Sequence, residues 1–90
     1  MIEKNVIIIN PSGLHTRPAA LLVKMAARFA SDLYIEKDGF EINGKSIIGV
    51  MTLAAEKGAA LTLRFEGPDE KKMAQDIVQL FEEGFGEPLS

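Results

Sequence analysis

The only histidine of the 90-residue chain, His15, lies in the segment PSGLHTRP at residues 11–18. Turn-forming residues precede it and a helical apolar pattern follows it, so His15 is predicted to lie where a helix begins. The first N–H groups of a helix lack partners and the helix dipole is positive there, which favours an anion. Imidazole is partly neutral near pH 7, and the guanidinium of Arg17 suits phosphate oxygens. This pattern would suit a phosphoryl group carried on His15.

Composition excludes several classes of function. The chain has no cysteine, which rules out disulfides, thiolate metal sites and a thiol nucleophile. Its net charge of −3 argues against a nucleic-acid partner, because a phosphate backbone favours basic domains. There is no glycine-rich nucleotide loop and no metal-binding motif. We therefore expect no cofactor and no metal.

Length and patterning predict one domain over residues 1–90, since so short a chain cannot fill two cores. The hydrophobic fraction of 47% is ample for one core. The N-terminal residues lack the pattern of a signal peptide, and the apolar runs are too short to cross a bilayer. We expect a cytoplasmic protein without a membrane partner.

The elements that would position His15 follow from periodicity. A β-branched run at residues 6–9 predicts a strand, and a helix is predicted from Thr16 to about Ala30. Asp38-Gly39 predicts the turn of a hairpin. Inward-facing apolar positions are expected in the helix at Ala19, Leu22, Ala26 and Phe29, and in the hairpin at Leu33, Ile35, Phe40 and Ile42.

The second half of the chain continues this alternation. A short helix is predicted at residues 45–54, and a fourth strand at residues 61–65. Asp69 is a candidate N-cap of a last helix, which Gly84 would end. The buried face of that helix is expected to comprise Met73, Ile77, Leu80 and Phe81. The order βαββαβα predicts an α+β open-faced sandwich, in which three helices cover one face of a four-stranded antiparallel sheet.

Two segments together carry a family resemblance that the histidine alone does not. GLHTRPA at residues 13–19 and GKSIIGVM at residues 44–51 resemble HPr, the family of histidine-containing phosphocarriers of the bacterial phosphoenolpyruvate:sugar phosphotransferase system. The resemblance implies that His15 is phosphorylated through Nδ1 and that Arg17 steadies the phosphate. It also implies enzyme I as donor, enzyme II A domains as acceptors and phosphoenolpyruvate as the indirect phosphoryl source. Such a protein carries phosphate between enzymes rather than turning over a substrate itself.

Ser46 has two interpretations. It precedes a short apolar helix and is therefore predicted to be its N-cap. The resemblance adds regulation, because a dedicated serine kinase/phosphorylase modifies the matching serine in many family members. Ile48 departs from the methionine that is frequent at its position.

Exposed residues of the first two helices predict a partner interface. Val50, Leu53 and Ala54 are expected to form the buried side of the second helix, which leaves other apolar side chains outward. Cations on the first helix would attract acidic partners and favour a transient complex. The predicted interface comprises Thr16, Ala20, Leu21, Lys24, Arg28, Ile47, Ile48 and Met51. We expect a monomer, which suits a diffusing carrier.

Three alternatives remain at this point. A regulatory or nitrogen-related phosphocarrier would use His15 on non-sugar acceptors, and residues 80–85 (LFEEGF) look somewhat like that branch. An RNA-recognition domain shares the order βαββαβ, but Phe40 and Phe65 are expected in the core and the net charge has the wrong sign. A structural adaptor predicts that replacing His15 changes nothing.

Overall fold

The computed structural model describes residues 1–89, which form four strands and three helices. The strands form one antiparallel sheet in the order β1-β4-β2-β3. The elements are β1 (Ile2–Ile7), α1 (Thr16–Ala26), β2 (Asp32–Lys37), β3 (Phe40–Asn43), α2 (Ile47–Thr52), β4 (Ala60–Glu66) and α3 (Glu70–Glu82), followed by a 3₁₀ turn at Gly84–Gly86. The predicted α+β open-faced sandwich with the order βαββαβα is confirmed.

The core lies between the sheet and the helices. Alternate residues of the two central strands are buried there, as a strand with one covered face requires. Helices α1 and α3 contribute their predicted apolar stripes. The fully buried residues include Leu33 and Ile35 of β2, Leu61, Leu63 and Phe65 of β4, Ala19, Leu22 and Ala26 of α1, and Met73, Ile77 and Phe81 of α3.

The opposite face of the sheet is polar. Arg64 of β4 forms ion pairs with Glu3 at 3.1 Å, with Glu36 at 3.0 Å and with Glu41. These carboxylates belong to β1, β2 and β3, so one guanidinium links all four strands. A face with this excess of carboxylates repels a nucleic-acid backbone, which argues against the RNA-recognition alternative.

Three predicted boundaries were wrong. The first strand is Ile2–Ile7 rather than residues 6–9, because its polar first half pairs in register with β4. Helix α1 ends at Ala26, not Ala30, since the N–H of Phe29 bonds to the third preceding carbonyl at 3.2 Å and tightens the last turn. The second helix is limited to Ile47–Thr52.

Several predicted core positions were also wrong. Phe40 is 54% exposed, because it begins edge strand β3 opposite Lys37, where β2 ends. Ala54 is exposed: its φ of 50° turns the chain after α2 and brings Ala55 into the core instead. Phe29 and Leu80 are only partly buried at the edge of the core. The exposure of Phe40 weakens the aromatic argument against an RNA-recognition domain, whereas Phe65 is fully buried as expected and the charge argument is unaffected.

Candidate functional site

His15 is the N-cap residue of α1 and has an extended backbone. Its carbonyl accepts the first helical hydrogen bond from the N–H of Ala19 at 2.9 Å. Its side chain is exposed and makes no capping hydrogen bond. The imidazole is therefore accessible to a partner molecule.

The loop before His15 is fixed by buried hydrogen bonds. Asn10 is fully buried and its Nδ2 donates to the carbonyl of Gly13 at 2.8 Å. The N–H of Leu14 donates to the carbonyl of Ala55 at 2.9 Å. Gly13 has a φ of 63°, and a Cβ on it would lie 2.4 Å from that carbonyl oxygen. Glycine allows both the left-handed backbone and this close approach.

The first turn of α1 is well suited to an anion. Within residues 1–89, the backbone N–H groups of Thr16 and Arg17 donate to no partner. Pro18 follows them and has no N–H to satisfy. The first turn contains no acidic residue. Unpartnered donors and the positive end of the helix dipole thus lie next to the imidazole.

A shallow cleft of about 480 Å³ brings His15, Thr16 and Arg17 together with a residue that sequence reasoning missed, Glu87. The Glu87 carboxylate accepts hydrogen bonds from the N–H of Ser12 at 3.2 Å and from its hydroxyl. The hydrogen bonds from Ser12 and, less strongly, the charge of Arg17 hold the pKa of Glu87 below its ordinary value. No local signal could have revealed Glu87, because 75 residues separate it from Ser12.

Ser46 lies at the N-cap of α2, as predicted. Its hydroxyl accepts a hydrogen bond from the N–H of Gly49 at 3.1 Å, and the side chain is half-buried. The neighbouring Lys45 donates to the carbonyl of Phe29 at 2.8 Å, which ties this segment to the end of the first helical region. The structural role predicted for Ser46 is confirmed.

The predicted interface residues are all on the surface. Ile48 is 77% exposed, whereas Leu21, Ile47 and Met51 are between 38% and 44% exposed. Helices α1 and α2 pack side by side, and Met51 shares a cleft of about 250 Å³ with His15. The remaining members are Thr16, Ala20 and Lys24 on α1, and Arg28 two residues beyond its end.

Within residues 1–89, no group of three or more histidine and carboxylate side chains could hold a metal ion. None of the helices in that range combines the length and apolar character needed to cross a membrane.

Comparisons with known proteins agree on one family. The model for the phosphorylation site of the phosphotransferase component HPr matches residues 2–83. The chain is 45% identical over 87 residues to phosphocarrier protein HPr of Treponema pallidum, covering 97% of this chain and 99% of that protein. The crystal structure of HPr from Thermoanaerobacter tengcongensis superposes with a TM-score of 0.96 at 44% identity, covering 99% and 100% of the chains.

A third relative has a different role. Crh, a catabolite-repression protein of Bacillus subtilis, is 40% identical with a TM-score of 0.75, covers 93% and 97% of the two chains, and forms a domain-swapped dimer. With a matching family model and relatives over nearly its whole length, the chain belongs to the HPr family of phosphocarriers of the phosphotransferase system.

Proposed function

We propose that this protein accepts a phosphoryl group from phosphorylated enzyme I on His15 and passes it to enzyme II A domains for sugar uptake. The observation that carries this proposal is the exposed imidazole of His15 at the start of α1, beside N–H groups that have no partner in residues 1–89. A family of phosphocarriers supplies the reaction class, and these residues supply a nucleophile and donors for the group.

Both transfers are in-line displacements at phosphorus. The lone pair of Nδ1 of His15 attacks as the phosphorus–nitrogen bond to enzyme I breaks, and the donor nitrogen keeps the bonding electrons. The phosphoryl oxygens then lie near the first amides of α1 and the Arg17 guanidinium. A nucleophile of the acceptor domain repeats the displacement. Such transfers require mainly positioning and charge stabilisation from the protein.

The partner surface extends from His15 over α1 and α2. Leu21, Ile47 and Met51 supply a modest apolar area, and Arg17 and Lys24 supply positive charge in an acidic chain. Charge of this sign speeds encounter with acidic partner surfaces, and a small apolar centre permits rapid release. We propose that enzyme I and the acceptor domains bind here in turn, in the cytoplasm, to a monomer.

Ser46 is proposed as a regulatory phosphorylation site for a serine kinase/phosphorylase. Its hydroxyl adjoins Ile47 at the edge of the proposed partner surface. A phosphate adds roughly −1.5 to −2 charges, which would repel the acidic partners that Arg17 and Lys24 attract.

A regulatory carrier acting on non-sugar acceptors is the second candidate, and the similarity to Crh favours it. Transfer rates from the phosphorylated protein to sugar-specific and to nitrogen-related acceptor domains would separate the two candidates. Light scattering across a range of protein concentrations would test the monomer against a Crh-like dimer.

The first experiment is to incubate the protein with phosphoenolpyruvate and enzyme I and to measure its mass. We expect one acid-labile phosphoryl group on wild type and on Ser46→Ala, and none on His15→Ala. Because His15 is exposed and its side chain makes no capping bond, His15→Ala will keep the wild-type circular dichroism and melting temperature. Labelling of His15→Ala, or no labelling of wild type by an enzyme I that phosphorylates a known HPr, would refute the proposal.

A further inference from the structure

The C-terminal segment brings a carboxylate to the His15 loop. Glu87 accepts hydrogen bonds from the N–H and the hydroxyl of Ser12, three residues before His15. Glu87 lines the same cleft as His15 and Arg17. The Glu87 carboxylate therefore already lies in the cleft where the proposed function places a second negative group, the phosphoryl group on His15.

The position of Glu87 is set by a buried anchor. Phe85 is 5% exposed and packs edge-to-face on Phe81, with ring centres 5.0 Å apart. Its φ of 56° lies in the left-handed region, which a phenylalanine adopts only when its surroundings compensate for the strain. The N–H of Glu87 then donates to the carbonyl of Gly84 at 3.0 Å. This turn directs the segment that carries Glu87 back towards the start of α1.

A carboxylate and a phosphoryl group seek the same partners. Both are oxyanions that accept hydrogen bonds from N–H and O–H groups and pair with a guanidinium. Ser12 donates to Glu87, and Arg17 contributes to lowering the pKa of that carboxyl. A phosphoryl group on His15 would enter a cleft in which the donors of Ser12 are already engaged by Glu87.

We propose that Glu87 is a positioning residue that holds Ser12 in the unphosphorylated protein, in the cleft that Arg17 also lines, and is displaced when His15 carries phosphate. This inference rests on the proposed function of His15. Competition between the two anions raises the free energy of the phosphorylated carrier relative to the free one. The carrier consequently gives up its phosphoryl group more readily than one that binds the group without a competitor.

The phosphorylation equilibrium with enzyme I tests this role. We compare wild type with Glu87→Gln, which keeps the size of the side chain and removes its charge. Glu82→Gln is the matched control, because Glu82 is an exposed acid near the same terminus that lines the groove between α3 and β1. At a fixed ratio of phosphoenolpyruvate to pyruvate, the phosphorylated-to-free ratio should rise about two- to fivefold in Glu87→Gln, which is the size of one charge interaction at an exposed site. Equal ratios in the two variants would overturn the proposal.

Displacement itself is measured by ¹⁵N NMR after chemical phosphorylation. Phosphoramidate transfers its phosphoryl group to the imidazole nitrogen and releases ammonia, so enzyme I is not needed. We expect the amide signals of Ser12, Phe85, Gly86, Glu87 and Leu89 to shift in wild type and in Glu82→Gln. In Glu87→Gln the Ser12 signal should already lie displaced before phosphorylation. An unmoved Ser12 signal in phosphorylated wild type would refute the displacement.

The two experiments separate this inference from the proposed function. If enzyme I does not label wild type but chemical phosphorylation shifts Ser12 and the tail, the displacement stands and the carrier function is wrong. If enzyme I labels His15 and neither the equilibrium nor the Ser12 signal depends on Glu87, the carrier function stands and Glu87 has no part in it.

Discussion

The starts of α1 and α3 differ in the hydrogen bonds that their side chains make. At α3, the Asp69 carboxylate accepts hydrogen bonds from the N–H of Ala30 at 3.0 Å, from the N–H of Ser31 at 2.9 Å and from the Ser31 hydroxyl. Glu70 accepts from the N–H of Gly67 at 3.0 Å. At α1, the N-cap side chain makes no such bond and no acid lies in the first turn.

This difference separates a structural helix start from a functional one. Asp69 occupies the predicted N-cap position, but its side chain binds the segment before β2 instead of capping α3. These bonds join two distant parts of the chain. The start of α1 gives up a comparable stabilisation and leaves its donors to an anion from outside the helix. In the proposed cycle that anion is the phosphoryl group on His15, whereas Glu87 accepts hydrogen bonds from Ser12 in the loop before the helix.

The largest effect is expected in the loop before α1, where Gly13 allows a close backbone contact. Gly13→Ala would place a methyl group 2.4 Å from the carbonyl oxygen of Ala55 at a φ of 63°. We expect a loss of about 3 kcal/mol or more in the free energy of unfolding, measured in urea. Gly58→Ala is the matched control, since its φ is 93° with nothing within 4 Å, and should cost about 1 kcal/mol. Equal losses would show that the close approach does not matter.

Replacing two arginines separates effects on phosphoryl transfer from effects on stability. Arg17→Ala should slow phosphorylation by enzyme I about 10- to 100-fold, because it removes the cation beside the phosphoryl group, and leave the melting temperature unchanged. Arg64→Ala breaks three ion pairs on the other face of the sheet. It should lower the melting temperature with transfer unchanged. Arg17→Lys should restore part of the rate. This assignment would be wrong if Arg17→Ala lowered the melting temperature and Arg64→Ala slowed phosphorylation instead.

The pH dependence of stability tests the structural role of Asp69 at the start of α3. Hydrogen bonds from the Ser31 side chain, and then from the backbone, hold the pKa of Asp69 below its ordinary value of 3.8. Because the folded pKa is lowered, its contribution to stability is present above 3.8 and is lost as pH falls through the folded value. Asp69→Asn should lower the melting temperature by several degrees at neutral pH, and this difference should shrink below pH 3.8. A difference that is independent of pH would contradict the role of the charge.

The sequence was most informative where structure is local. The loop residues, Pro18 and the apolar spacing after it were sufficient to place His15 at a helix start. The alternation of β4 likewise predicted its buried residues. Ser46 followed from the preference of serine for an N-cap.

What the sequence could not supply depends on long-range packing. The contacts of Ser12 with Glu87 and of Ser31 with Asp69 span 75 and 38 residues. Phe85 adopts a left-handed backbone that its residue type disfavours, so no propensity predicts the tail that carries Glu87. Phe40 alternates like a core residue, and only its place at the beginning of an edge strand explains its exposure.

The start of α2 lies between the two cases, since Ser46 both caps a helix and borders the proposed partner surface. Ser46→Ala should cost about 1 kcal/mol of stability by removing the bond to the N–H of Gly49. Ser46→Asp should keep the cap, because aspartate is an equally good N-cap, and add a negative charge. We therefore expect Ser46→Asp to retain wild-type stability and to slow phosphorylation by enzyme I a few-fold. Ser46→Ala should lose stability and keep the wild-type rate of phosphorylation. If both variants slow transfer equally, the cap and not the charge governs docking, and the proposed regulation through Ser46 is wrong.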